Sequence, residues 1–146
     1  MRPAAAYFDG WRRLYGIYGS SVGDPVDDAI AREVWSWLLE GKHGVAAILA
    51  LSSGNVAGFV HYRPFARTLH GNLACYLDDL FVDASHRGHG ISAELVRQVC
   101  DVARSSGWTE VRWVTTPDNA PARRVYERIA QRSDLITYRI PLNDRR

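Results

Sequence analysis

Lysine is almost missing from this chain of 146 residues: of its 18 basic side chains, every one except Lys42 is an arginine. Cysteine is scarce too. Cys75 and Cys100 are its two cysteines, with no CxxC spacing, which excludes a disulfide-built scaffold and a cysteine zinc site and points to a reducing compartment. Long apolar runs are lacking. The longest, Val45–Leu51, falls far short of the ~20 residues that span a bilayer, and the N-terminus has no signal-peptide core, so no membrane partner is expected and the expected location is cytoplasmic. Charge of one sign is lacking as well. A formal net charge of +2, spread along the chain, is not the concentrated basic stripe of an electrostatic nucleic-acid binder, and no nucleic-acid partner is expected.

What is present suits one packed domain over residues 1–146. Hydrophobic residues make up 47% of the chain, and five are tryptophan, enough apolar surface for a core. The charge divides unevenly: residues 1–85 carry 7 basic and 9 acidic groups, residues 86–146 carry 11 and 7. The second half therefore suits an anion. His86 and His89 stand three apart in a Gly-rich polar loop with no acidic or cysteine partner at ligand spacing, so they read as solvated and no metal is expected.

Periodicity orders the elements. Phe8, Trp11, Leu14, Tyr15 and Tyr18 mark one face of a first helix, with Gly16 and Gly19 weakening its end. Asp24 before Pro25 reads as the cap of a second helix, with Ile30, Val34, Trp37 and Leu38 inward and Gly41 as its stop. Val45–Leu51 and Val56–Arg63, joined by Ser52-Ser53-Gly54-Asn55, form a hairpin. Leu73–Val82 is a further strand, apolar except for Asp78 and Asp79. An amphipathic helix follows, with Leu95, Val96, Val99, Cys100 and Ala103 buried and Gly107 ending it. Glu110–Thr116 reads as a strand, Pro117 to Ala130 as a helix, and Leu135–Leu142 as a last strand. Arg145 and Arg146 read as a frayed tail. The fold class is α/β (α+β mixed), one sheet with helices on both faces.

The strongest chemical signal is the strand, then Arg87-Gly88-His89-Gly90-Ile91-Ser92, then the helix. Glycines let the backbone turn tightly, and the helix N-terminus offers unpaired N–H groups to a phosphate. Neither the P-loop ending nor the GxGxxG fingerprint is present. Asp78 and Asp79, adjacent on a strand, are expected to point to opposite faces. Two carboxylates in an apolar strand are costly unless paired or used.

These pieces together resemble the GNAT superfamily of acetyl-CoA-dependent N-acetyltransferases: Leu80-Phe81-Val82, then Arg87-x-x-Gly90-x-Ser92, then Thr115–Asn119 and Tyr126. The likeness extends over nearly the whole chain. Tyr76-Leu77-Asp78-Asp79-Leu80-Phe81-Val82 is most similar to the spermidine/spermine branch of small-amine acetyltransferases. The resemblance implies a mixed, mostly antiparallel twisted sheet in the order β(short)-α-α-β-β-β-α-β-α-β. It implies acetyl-CoA as co-substrate, with its pyrophosphate on Arg87, Gly88, His89, Gly90, Ile91, Ser92 and Ala93, and its pantetheine arm along Leu80, Phe81 and Val82. Asn119, Ala122 and Tyr126 flank it. Ser92 departs from the family's Gly or Ala, and Ser133-Asp134-Leu135 departs from its frequent Gly-Phe.

By the same resemblance Tyr126 protonates the departing thiolate, a role for which a phenol of pKa near ~10 keeps its proton at neutral pH. Asp78 stands where polyamine-type relatives carry a glutamate that binds or deprotonates the amine. Being one methylene shorter, it fits a water relay better than direct contact. Asp78 and Asp79 are the candidate acceptor-binding residues, and the N–H groups of Phe81 or Val82 could serve the thioester carbonyl if the strand splays there. Tyr15, Tyr18, Trp35, Trp37, Tyr62 and Tyr76 could wall an acceptor pocket, though most read as core. The acceptor expected is a small-molecule or peptide amine. A homodimer is expected to pair the last strand. Two other readings stand beside this one: a non-catalytic acetyl-CoA-binding regulator, and an Arg-rich nucleic-acid binder.

Overall fold

The computed structural model describes residues 3–143, so the tail at Arg145 and Arg146 lies outside the described residues. The chain divides into two compact units, Met1–Val114 and Thr115–Arg146.

In the first unit a 3-10 turn over Ala5–Tyr7 leads into α1 (Phe8–Ser21) and α2 (Asp28–Glu40). The short first strand that the resemblance implies does not occur among the described residues. Trp11 and Leu14 are fully buried on α1, and Gly16 and Gly19 do not end the helix. Gly19 is a contact point instead: its carbonyl accepts from the Asp24 N–H at 2.9 Å, and a β-carbon there would meet Val26 at 2.6 Å. The loop lying back on α1 displaces the start of α2. Asp27, not Asp24, is the cap, its side chain accepting from the Ile30 N–H at 2.8 Å. Trp35 joins Ala31, Val34 and Leu38 in the core, and Gly41, in the left-handed region, closes the helix as its sequence position suggests.

The sheet has the order β1-β2-β3-β4, with β1 (Ala46–Ser52), β2 (Asn55–Arg67), β3 (Asn72–Val82) and β4 (Val111–Arg112). The first three are antiparallel neighbours, and β4 runs parallel to β3. β2 continues past Arg63, carrying a proline that a central strand should reject. Its position resolves the conflict. Pro64 lies opposite Cys75, whose N–H points away to the Glu110 carbonyl at 2.8 Å. Pro64 is therefore at a non-hydrogen-bonded position toward β3, and on its other side β1 has already ended, since Ala46 pairs with Tyr62.

Each sheet face carries its own core. Ala47, Leu49 and Phe59 pack with Trp11, Leu14, Val34 and Trp35 under α1 and α2. Ile48, Val60, Cys75 and Leu77 pack with Leu95, Val96, Val99 and Ala103 of α3 (Ile91–Ser105). Burying one such aliphatic or aromatic side chain contributes about 1.5–3 kcal/mol, so these two clusters hold β2 and β3 in fixed register. The stretch Glu110–Thr116, expected as a full strand, pairs only through Val111 and Arg112.

The second unit contains α4 (Ala120–Ile129), with Asn119 at its N-cap and a proline in its first turn. The strand expected at Leu135–Leu142 does not form among the described residues. Ile136, Tyr138, Ile140 and Leu142 keep the period-two alternation but are 75%, 87%, 84% and 95% exposed. A strand needs a ladder partner, and alternation by itself supplies none.

Candidate active site

β3 is the element on which the site is built. Along β2 it is paired from Arg67↔Asn72 to Gly58↔Val82, but it meets β4 only at Cys75↔Val111 and Tyr76↔Arg112. Beyond Tyr76 the two parallel strands part, so the edge of β3 from Leu77 to Val82 has no ladder partner among the described residues. An open strand edge offers N–H and C=O groups to any extended chain that carries amides.

At that parting β3 carries a bulge. His61 pairs with Asp79 and Tyr62 with Leu77, leaving Asp78 as the extra residue. The bulge reverses the alternation: Leu77 and Leu80 both pack in the α3 cluster, while Phe81 packs against the cluster of α1 and α2. Asp78 and Asp79 consequently share a face, contrary to the expectation that neighbours on a strand diverge.

Their environments differ. Asp78 accepts from Arg63 Nε at 3.2 and 3.1 Å and stands at the rim, its side chain 31% exposed. Desolvation raises its pKa above the ordinary carboxylate value; Arg63 opposes this, and the charge of Asp79 adds to it. Asp79 is more sheltered, and its Oδ2 lies 2.8 Å from His61 Nδ1. Tyr15 faces both: burial first, then Asp79 and Asp78, pushes its hydroxyl up to about 12. His61, Arg63 and Trp11 are residues that sequence reasoning did not assign to the site, and Tyr15 was named there only among aromatics that could wall a pocket. The available signal was the alternation Phe59, His61, Arg63 on β2, which places a histidine and an arginine on one face beside two carboxylates.

β3 then runs into the glycine turn. Gly88 and Gly90 have φ of 84° and 76°, a left-handed conformation that only glycine adopts cheaply. A β-carbon at either would meet nothing within 4 Å. Gly90 caps α3 without a side-chain hydrogen bond, and the ladder starts with Glu94 N–H to the Gly90 carbonyl at 3.0 Å. The first-turn N–H groups of Ile91, Ser92 and Ala93 thus stand at an open helix N-terminus, with the partial positive charge that favours anions. Arg87 folds back instead of reaching outward: its Nε donates to the Val82 carbonyl at 3.1 Å, and its guanidinium lies 5.4 Å from the Phe81 ring centre. His89 is exposed in the same turn.

Within the second unit Asn119 donates to Thr115 Oγ1 at 3.2 Å, and Ala122 lies on the first turn of α4. Arg123 is committed to the Pro117 carbonyl at 2.7 Å and to Glu127 at 3.1 Å. Burial raises the pKa of Tyr126, so its hydroxyl stays protonated at neutral pH. Cys75 offers no nucleophile: it is fully buried and desolvation pushes its thiol up to about 11. Among the described residues no three His, Cys, Asp or Glu side chains gather as a metal-binding set, and no helix is long and apolar enough to cross a membrane.

Solved structures share this fold. The ribosomal-protein-alanine N-acetyltransferase of Brucella melitensis biovar Abortus 2308 superposes with a TM-score of 0.80 at 23% identity, over 98% of this chain and 97% of that one. The aminoglycoside acetyltransferase AAC(6')-Iy, solved with a CoA-containing bisubstrate analogue, gives 0.81 at 19% identity, over 97% and 96%. Both likenesses show the fold. In sequence, the D-amino-acid N-acetyltransferase HPA3 of Saccharomyces cerevisiae is 24% identical over 133 residues, 90% of this chain and 83% of the yeast protein. The pattern of the Acetyltransferase (GNAT) family matches residues 11–130. The chain belongs to that family, and it is an N-acetyltransferase.

Proposed function

We propose that the protein transfers the acetyl group of acetyl-CoA to the primary amine of a small molecule or peptide, by direct attack of the amine on the thioester. The observation that carries this reading is the open edge of β3, Leu77 to Val82, running from the Asp78–Asp79 bulge into an uncapped helix N-terminus. The residues present fit CoA. Backbone amides at an unpartnered edge suit the two amides of pantetheine, held by Leu80, Phe81 and Val82. The turn from Arg87 to Ala93, with open ground over Gly88 and Gly90, suits a pyrophosphate. Arg87 acts by holding the end of β3 through Val82. Family resemblance adds Asn119 and Ala122.

Acetyl-CoA supplies an activated acyl carbon and a thiolate leaving group; the chain supplies proton management. Asp78, with its raised pKa, takes the proton of the acceptor ammonium directly or through a water, and Asp79 binds the acceptor beside it. By family resemblance Tyr126, whose hydroxyl burial keeps protonated at neutral pH, is the donor to the departing sulfur. The paired carboxylates favour a cationic acceptor, and the likeness of Tyr76–Val82 to the spermidine/spermine branch favours a small one. The yeast relative is a D-amino-acid N-acetyltransferase and AAC(6')-Iy an aminoglycoside N-acetyltransferase, which accords with a small amine acceptor. Two free cysteines suit a cytoplasmic location, and the exposed alternating segment 135–142 suits pairing in a homodimer.

The test is CoA release from acetyl-CoA against a library of primary amines. An accepted amine is expected, and Tyr126→Phe should lower kcat about 100-fold, the ordinary worth of a positioned acid, with the KM for acetyl-CoA unchanged. A wild-type protein that binds acetyl-CoA and acetylates no amine would establish the non-catalytic reading instead.

A further inference from the structure

His61 is 2% exposed, the one buried residue of the polar and charged types among the described residues. Its ring lies among Phe59, Tyr15 and Trp11, with ring centres 4.7, 5.1 and 5.8 Å away. Both ring nitrogens are used. Trp11 Nε1 lies 2.9 Å from Nε2, and Asp79 Oδ2 lies 2.8 Å from Nδ1. An indole N–H can only donate, so Nε2 must accept, and the ring proton must sit on Nδ1. That proton is then donated to Asp79. The direction of the chain, Trp11 to His61 to Asp79, follows from one donor that has no acceptor form.

We propose that His61, oriented by Trp11, is the positioning residue for Asp79 and that Asp79 is the anchor for the acceptor's ammonium group. The inference rests on the acetyl-transfer reading above and deepens it by dividing the labour of the two carboxylates. Asp78 is tied to Arg63 at the rim. Asp79 is held from the dry side through Oδ2 alone, and among the described hydrogen bonds its Oδ1 takes none. A carboxylate that accepts from a ring N–H held in place has a fixed direction, which an ammonium ligand requires. The charged and titratable groups shown to act on Asp79 or be acted on by it are Asp78 from its own strand, His61 from β2 and Tyr15 from α1, while Arg63 is engaged with Asp78. His61 is the one that donates to it directly.

The arrangement also ties the acceptor site to α1. Trp11 and Tyr15, one helical turn apart, stack at 4.9 Å and both lie against the imidazole. A shift of the helix would move the ring and, through it, the carboxylate. This is a positioning role, since His61 is walled off by aromatic rings and does not reach the acceptor.

The test uses the full chain with three variants: His61→Phe, which keeps a ring and loses both nitrogens; His61→Gln, which retains an amide donor and acceptor; and Trp11→Phe, which removes the donor to Nε2. Spermidine, lysine, ethanolamine and glycinamide serve as probe amines. For an accepted amine, His61→Phe should raise the amine KM about 10- to 30-fold and leave that for acetyl-CoA within about twofold, with His61→Gln recovering most of the loss. Nitrogen-15 NMR of the imidazole should show the Nδ1–H tautomer, and the probe amines should shift that resonance. An unchanged amine KM in a folded His61→Phe, or an Nε2–H tautomer in the wild type, overturns the proposal. If His61→Phe does not fold, Trp11→Phe decides the same question by the same KM comparison. If the wild type acetylates none of the probes, the acceptor reading fails by itself; an amine-dependent shift of the Nδ1–H resonance then still supports the anchor, and no shift removes it.

Discussion

Gly41 and Gly90 form a matched pair that separates the cost of backbone strain from the cost of a lost ligand contact. Their φ values are 69° and 76°, and a β-carbon at either would touch nothing within 4 Å. Gly41 ends α2, whereas Gly90 starts α3 in front of its open first-turn N–H groups. An alanine forced into the left-handed region costs about 1–2 kcal/mol, and the reduced freedom of the unfolded chain returns about 0.5 kcal/mol. Each substitution should therefore destabilise by about 1 kcal/mol, a fall in Tm of about 3 °C for a chain of this size. Activity should separate them. At Gly90 the added methyl occupies the approach to the helix N-terminus, and loss of one charge-assisted hydrogen bond, about 1.5 kcal/mol, raises the KM for acetyl-CoA about tenfold. Gly41→Ala should leave that KM at the wild-type value. Thermal unfolding and CoA-release kinetics on both variants make the comparison. Equal effects on KM, or an unaltered KM in Gly90→Ala despite the fall in Tm, would refute the placement of the pyrophosphate on this turn.

The Tyr15 hydroxyl, pushed up to about 12 in the folded state from 10.0, makes stability depend on alkaline pH. The unfolded phenol ionises first as pH rises, so the stabilisation is complete below pH 10 and is lost between 10 and 12. Two units correspond to at most ~2.7 kcal/mol, and the partial exposure of the ring reduces this to about 1–2 kcal/mol. Urea midpoints at pH 8 and pH 11 should fall less in Tyr15→Phe than in the wild type; parallel falls would show that Tyr15 is not the responsible group. Light scattering should find a dimer, converted to monomer by Ile140→Lys, which places a charge on the exposed apolar alternation of residues 135–142. A wild-type protein that stays monomeric at all concentrations counts against that pairing.

The amino-acid sequence by itself determined what depends on neighbours a few residues apart. The buried stripe of α3, the stop at Gly41, the hairpin of β1 and β2, and the glycine turn ahead of a helix are all set by local periodicity and by residues whose backbone freedom is intrinsic. The candidate cofactor turn was legible for that reason. Tertiary structure decided what depends on register between strands and on distant partners. The bulge at Asp78 turned two carboxylates onto one face because Leu77 and Leu80 both have to bury under α3. The cap of α2 moved to Asp27 because Gly19 admits the preceding loop against α1. Pro64 entered a strand because β1 ends before it, and the alternation at residues 135–142 found no ladder. His61 was silent in the sequence because its partners stand 50 and 18 residues away, at Trp11 and Asp79. A hydrogen bond between such residues exists only once the packing of α1 on the sheet has brought a donor-only indole and a carboxylate to opposite sides of one ring.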